Sequence, residues 1–304
     1  MDIGKKIKKL RTEKLMTQSE LTGGEITRNM LSRIENGAAL PSLGTVVYLA
    51  GKLGVPAGYL LSEGEEEFIY HKSAVMKNVR RAYTDNNFEL CYDMCLSEFS
   101  ELDDELELIL TDCCVGVAEE AMRMGQLYRA RAFLDEAVRH STKTMYDTTA
   151  QLNSIQIMFE MLKYISPALD SDEIDVSERE GSLHSSVFKN IFYKYLSVIL
   201  NIDKYEDFES NIRSAGKNAL SDYEKLLILH LRARMLIANE NYDSALDVLR
   251  SVADSEAIID RFLLYLVSSD MEICCRETDD YKGAYEASIN KLELLEHMLA
   301  EERG

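Results

Sequence analysis

Residues 17–37 run TQSELTGGEITRNMLSRIENG and read as two short helices on either side of a tight turn. Thr17 stands before Gln18, Ser19, Glu20 and Leu21. Its hydroxyl can accept a backbone N–H of the first turn while Glu20 reaches back, which is the reciprocal capping pattern. Thr27 repeats the arrangement ahead of Arg28, Asn29, Met30, Leu31, Ser32, Arg33, Ile34 and Glu35. On this second helix Leu31 and Ile34 are three apart and share an inward stripe with Ile26, so Arg28, Asn29, Ser32 and Arg33 point away. Gly37 supplies the stop.

An Arg and an Asn in the first turn of an exposed helix suit the major groove, because Arg bonds guanine and Asn bonds adenine at two points each. The pair of helices is therefore expected to be a DNA-reading helix-turn-helix. Its flanks fit a compact bundle. Ile3, Ile7 and Leu10 space a helix before it, and Leu43, Val46, Val47, Ala50 and Leu53 space another after Pro41 and the cap Ser42. A short element, Ala57 to Leu61, closes the unit. Five helices in about sixty residues is near the lower size for a chain that folds alone.

Residues 3–61 resemble the phage-repressor-like helix-turn-helix family, also called the xenobiotic-response-element family. The resemblance runs through Gly4, Ile7, Leu10 and Arg11, then Thr17, Gln18 and Leu21. It continues through Ser32 to Gly37, Pro41 and Ser42, and Leu53 to Val55. It implies a lambda-repressor-like head in which Thr17 and Gln18 open the second helix with Gln18 near a phosphate. Arg28, Asn29 and Met30 would approach base edges, and Thr27, Arg33 and Asn36 complete the implied DNA-contacting set. Arg11 and Glu35 match a family ion pair with a structural role. The sequence departs from the pattern in two places: the turn Gly23-Gly24-Glu25 is one residue shorter than usual, and Thr22 stands where a small Ala is common.

Residues 1–64 carry nine Lys or Arg against six Asp or Glu, a balance of +3 in a chain of net −19. Lys5, Lys6, Lys8, Lys9, Arg11 and Lys14 crowd the first helix. Such a face is often only solvated, but beside a helix-turn-helix some of these lysines are expected to meet phosphate. The remaining 240 residues carry −22 and suit no nucleic-acid contact. With 304 residues and 46% hydrophobic content, the chain accommodates a small and a larger domain. It shows no apolar run near eighteen residues and no charged-then-apolar leader, so no membrane partner is expected and the expected location is cytoplasmic.

The acidic run at residues 62–67, SEGEEE, reads as a linker, giving domains at 1–64 and 65–304. Beyond it helical periodicity is nearly continuous, near 68–84, 88–100, 104–124, 126–140, 144–165, 184–201, 204–216, 221–239, 241–253, 256–277 and 280–302. The exception is a polar run at 170–181. Every second helix is expected to open on an apolar residue with a packing residue three later: Phe88 with Cys91, Leu127 with Ala130, Tyr205 with Phe208, Tyr242 with Ala245, Tyr281 with Ala284. These recur at intervals of 37 to 39 residues or twice that, and Ile165 with Ala168 falls near the missing midpoint. Helix pairs at such a period must stack to bury an apolar face. The strings NYDSAL at 241–246 and DYKGAY at 280–285 resemble the tetratricopeptide repeat. The fold class expected is all-α: a five-helix head followed by a tetratricopeptide-like solenoid.

A repressor-like head on such an array resembles the peptide-pheromone receptors of the Rgg/PlcR type. That resemblance implies a transcription regulator of a double-stranded DNA operator, a homodimer held by its repeats, and a short signalling peptide in their groove. First helices of the later pairs supply Asn153, Gln156, Asn190, Tyr193, His230 and Arg234 as candidates for peptide contact. Each has an ordinary surface or packing role as its alternative. The last helix, with Ala287, Leu292, Leu295, Met298 and Leu299 near its apolar face, serves either to dimerise or to cap its own array. A second functional class stays open: a DNA-tethered adaptor whose repeats bind a folded protein.

Cys91, Cys95, Cys113, Cys114, Cys274 and Cys275 form no CxxC pair, and no His lies at metal spacing, so buried reduced thiols are expected and no metal or cofactor. No phosphate loop, nucleophile elbow or triad pattern is visible, and no enzyme is expected.

Overall fold

The computed structural model describes residues 2–63, 65–169, 190–206, 208, 220–255 and 260–300. Among them the regular structure is helical, and the chain divides into two compact units, Met1–Thr84 and Asp85–Gly304.

The first unit opens with α1 (Ile3–Glu13), α2 (Gln18–Thr22), α3 (Arg28–Glu35), α4 (Leu43–Leu53) and α5 (Ala57–Leu61). Ile7, Leu21, Leu31, Ile34, Val46, Leu49, Ala50, Leu53 and Leu60 form one core, each at most 2% exposed. The capping expected from sequence is present. The Thr17 hydroxyl accepts from Glu20 N while Glu20 accepts from Thr17 N, and the Thr27 and Ser42 hydroxyls cap α3 and α4. Gly4 lets α1 cross α3 at backbone distance, since a Cβ there would lie 2.0 Å from the Ile34 carbonyl oxygen. Thr22 fits where a smaller residue was expected because its hydroxyl turns back to the Ser19 carbonyl at 3.0 Å.

The linker expected at 62–67 is shorter than its composition suggests. The α6 helix (Glu65–Thr84) starts inside the acidic run, because successive glutamates have good helix propensity. Tyr70 on α6 meets Gly58 and stacks edge-on with Tyr59, with ring centroids 6.5 Å apart, so α6 belongs to the first unit.

The second unit holds α7 (Phe88–Glu98), α8 (Asp104–Met124), α9 (Leu127–Ser141), α10 (Thr149–Ile165), α11 (Ile191–Leu200), α12 (Asp222–Ala238), α13 (Tyr242–Ala253), α14 (Arg261–Glu277) and α15 (Tyr281–Ala300). Phe88, Leu127, Tyr242 and Tyr281 are each the first residue of a helix, as the repeat requires. Ile165 corrects the pattern: it ends α10, followed by Ser166 and a short 3-10 turn, Pro167–Leu169, so it does not open a helix. The Tyr205 repeat lies only partly within the described residues, with Phe208 1% exposed, and the polar run at 170–181 lies outside them.

A local signal missed in the sequence unifies the repeat. One residue before each helix-opening turn lies in the left-handed region: Asn86 (φ 55°), Gly125 (φ 81°), Glu240 (φ 56°) and Asp279 (φ 58°). The next amide then reaches back five residues to close the preceding helix, from Gln126 to Ala121, Asn241 to Leu236 and Asp280 to Cys275, each at 2.8 Å. Neighbouring pairs stack through a single apolar core, and the stack curls until α14 packs on α8 and α15 on α9. Among the described residues no helix is long and apolar enough to cross a membrane.

Candidate nucleic-acid interface and the polar seam of the array

The second helix of the motif, α3, buries Leu31 and Ile34 and leaves Thr27, Arg28, Asn29, Met30, Arg33 and Asn36 exposed. Its orientation is fixed from beneath by charge. Glu35, 4% exposed, accepts from Arg11 Nε at 2.6 Å and Nη2 at 3.1 Å, and from Gln18 Nε2 at 2.8 Å. Burial pushes the Glu35 carboxyl up, but the bonds from Arg11 and Gln18 outweigh it and hold the group below the usual carboxylate range. Arg11 Nη1 also donates to the Met16 carbonyl at 2.9 Å, which ties the start of α2 into the same network.

Gln18 thus does more than the resemblance implies. It is half-buried, and its amide spans from Glu35 to Arg28, whose Nε donates to Gln18 Oε1 at 3.4 Å. Thr17 is exposed and committed to its capping box. The lysine cluster divides too. Lys5, Lys8 and Lys9 are exposed, whereas Lys6 is 1% exposed, donating to the Ser62 carbonyl at 2.5 Å and the Tyr59 carbonyl at 3.2 Å. Lys6 and Arg11 therefore hold the head together and do not face outward; apolar periodicity alone cannot reveal a lysine whose stem follows the core and whose ammonium reaches backbone carbonyls.

In the array the six candidates separate into three places. Asn190 caps α11 and donates from Nδ2 to Glu119 of α8 at 3.1 Å, and the Tyr193 phenol bonds the same carboxylate. Burial holds the Glu119 carboxyl above its usual range, partly offset by Tyr193, Arg123 and Asn190. His230 is fully buried: Nδ1 meets Tyr195 Oη at 2.7 Å and Nε2 meets Asp270 Oδ2 at 3.0 Å. Arg234 approaches the same carboxylate, with Nε at 3.6 Å. A ring committed at both nitrogens inside the core is packing and not groove lining, so His230 corrects the expectation made for it. Asn153 and Gln156 are partly buried on the side of α10 away from Gln151, and Gln156 bonds Glu160 one turn on at 3.1 Å.

Sequence reasoning overlooked the residues these candidates meet. Asp112, Glu119 and Arg123 share one face of α8 at helical spacing. Asp112 accepts from Gln151 Nε2 at 2.7 Å, and Gln151 Oε1 is buried without a partner among the described residues. Arg123 lies 3.9 Å over the Tyr223 ring with Nε 3.4 Å from Asp260, which also accepts from Tyr223 at 2.5 Å and caps α14. The seam joins partners as far apart in sequence as Arg123 and Asp260, and no local pattern marks such a pairing.

Residues 7–60 match the family model described as Helix-turn-helix. Two solved structures are similar along nearly the whole chain at low identity. The crystal structure of Bacillus thuringiensis PlcR in complex with the peptide PapR7 and DNA shares 16% identity over 100% of this chain and 99% of that one, with a TM-score of 0.24. The structure of a tyrosine-to-cysteine mutant of PrgX shares 14% identity over 95% of this chain and 98% of that one, with a TM-score of 0.27. No curated protein matches the chain. Residues 7–60 form a helix-turn-helix domain.

Proposed function

We propose that the protein is a sequence-specific, DNA-binding transcription regulator whose array senses a short peptide and pairs two chains on one operator. The observation that carries the DNA reading is α3 itself, with Arg28, Asn29, Met30 and Arg33 exposed on a helix whose other side is fixed by Leu31, Ile34 and the Glu35 network. Arg28 and Asn29 read base edges, Thr27, Arg33 and Asn36 flank them, and exposed Lys5 and Lys8 meet phosphate. Gln18 sets the Arg28 guanidinium before contact.

A single head offers a small contact area, and heads of this kind gain affinity by pairing on half-sites about one helical turn apart. The acidic array is the part suited to hold that pair, since it has no attraction for DNA. A peptide backbone needs side-chain donors and acceptors, and the exposed amide of Asn190 beside Glu119, with Gln151 and Asp112 close by in sequence register, offers both. Peptide and operator are then coupled reciprocally if one dimer arrangement binds both better.

The test is operator selection from random duplex DNA followed by gel-shift titration. Arg28→Ala weakens the selected site by roughly 1–3 kcal/mol and relaxes its sequence preference, the range for one lost bidentate base contact. Unchanged affinity and selectivity would place the reading surface elsewhere.

A further inference from the structure

Six cysteines among the described residues are buried and outside any disulfide, and three of them meet in one place, where Cys113 and Cys95 hydrogen-bond Cys91. Cys91 and Cys95 lie one turn apart on α7, and Cys113 lies on α8, all fully buried. The register between the helices is set by Phe88, whose ring occupies the space above Gly116, where a Cβ would come within 2.2 Å of the ring. The connection from α7 to α8 is five residues long, so the helices run antiparallel. One turn forward from Phe88 is Cys91, and one turn back from Gly116 is Cys113, so the register that seats the ring also sets these two thiols opposite each other.

We propose that Cys91 and Cys113 form an oxidisable dithiol, a modification site that closes to a disulfide between α7 and α8 on exposure to a hydroperoxide. The Cys91 thiolate attacks the terminal peroxide oxygen, the O–O bond breaks, and one water leaves with the proton that the thiol gave up. The resulting sulfenic acid is attacked by the Cys113 sulfur; the S–O bond breaks as the S–S bond forms, and the departing hydroxide takes the Cys113 proton as a second water. Two thiols and one hydrogen peroxide thus give one disulfide and two waters.

The two thiols are suited to unequal roles. Hydrogen bonds from Cys113 and then Cys95 favour the thiolate at Cys91, while the bond to Cys91 and burial hold Cys113 in its thiol form. Cys91, which takes hydrogen bonds from two thiols, is written as the attacking sulfur and Cys113 as the resolving one; the linked product is the same with the roles exchanged. Cys95 shares the helix of Cys91 at a spacing of four, where the rigid backbone holds the two sulfurs on parallel stems, and it serves as a hydrogen-bond donor and not as the bridge partner. Among the described residues no third thiol hydrogen-bonds the pair Cys274 and Cys275, and burial raises Cys274 to about 12, so the pair supplies an internal control.

The experiment treats the reduced full-length protein with hydrogen peroxide, alkylates the remaining thiols, digests without reductant and reads linked peptides by mass spectrometry. The expected product links the Cys91 and Cys113 peptides, reverts with dithiothreitol, and disappears in Cys91→Ser and Cys113→Ser while persisting in Cys95→Ser and Cys274→Ser. Circular dichroism of each variant reports whether it folds, and the wild-type linkage map decides the question without any variant. Complete alkylation of both Cys91 and Cys113 after peroxide, or links spread evenly over all six cysteines, would overturn the proposal.

Discussion

Arg11 on α1 and Glu35 at the end of α3 meet through two parallel hydrogen bonds, Nε to Oε1 at 2.6 Å and Nη2 to Oε2 at 3.1 Å, with the Glu35 side chain 2% exposed. The pair lies directly behind the exposed face of α3. A planar guanidinium fixes a carboxylate in orientation as well as in distance, which an ammonium cannot do. The angle at which α3 presents Arg28 and Asn29 is therefore tied to α1 through a charge pair and to α2 through Gln18.

The first prediction is a pH dependence. The folded Glu35 carboxyl releases its proton more readily than the unfolded one, so its contribution is complete above the ordinary Glu value of about 4.3. It drains away as pH falls below that value and through the lowered folded one. Glu35→Gln should cost about 2 kcal/mol at neutral pH, the scale of hydrogen bonds to a charged group, and should flatten the acid limb of the stability curve. Urea titrations at pH 7 and pH 4 measure both; an equal loss at the two pH values would show that Glu35 acts through packing alone.

Lys6 and Lys8 should respond oppositely to substitution. Lys6→Met removes the donor to the Tyr59 and Ser62 carbonyls and should cost about 1–3 kcal/mol of stability, with little change in the salt dependence of DNA binding. Lys8→Ala leaves stability nearly unchanged and should lower the logarithmic salt slope by about 1 if Lys8 meets a phosphate. Thermal melts beside gel shifts at several salt concentrations separate the two.

The inter-helix turns offer a prediction of stabilisation. Glu240 is exposed and held at φ 56°, a conformation that costs an L residue roughly 1–2 kcal/mol. Glu240→Gly relieves that cost while adding freedom to the unfolded chain, for an expected net gain of about 0.5–1 kcal/mol. Gly125→Ala at the equivalent turn should destabilise, since its Cβ would stand 2.8 Å from Met298 Cγ in addition to the strained φ. Calorimetric melting of both variants tests the opposite signs.

What the sequence makes legible follows interaction range. Caps, apolar stripes and the repeat interval are local or periodic, and with them α2, α3 and the first residues of α7, α9, α13 and α15 can be read directly. The left-handed turns escaped because Asn86, Glu240 and Asp279 stand where a glycine would have announced the bend. His230 escaped for a different reason. A histidine on a helix looks the same in sequence whether it faces a groove or a buried aspartate forty residues away, and only the fold brings Asp270 to it.

The last helix carries the prediction about assembly. Met298 and Ala287 face back into the array, with Met298 against Gly125, so that side of α15 acts as a cap. Among the described residues the other side is exposed and largely apolar: Tyr281 is 69% exposed, Tyr285 67% and Leu292 52%, at positions that share one stripe. Lys282 pairs with Glu286 one turn on and Lys291 with Glu272 of α14, so the charges of this helix have partners in the chain while the tyrosines and Leu292 stand exposed. A twofold contact of this kind is self-complementary. Under the proposed dimer, Tyr285→Glu combined with Leu292→Glu should convert the chain to a monomer in light scattering at micromolar concentration, and should weaken binding to a two-half-site operator far more than to one half-site. Because the substituted side chains are exposed, the circular dichroism spectrum and the melt should stay those of the parent. A variant that remains dimeric would move the interface to another face of the array, and a parent that is already monomeric would remove the dimer from the proposed function.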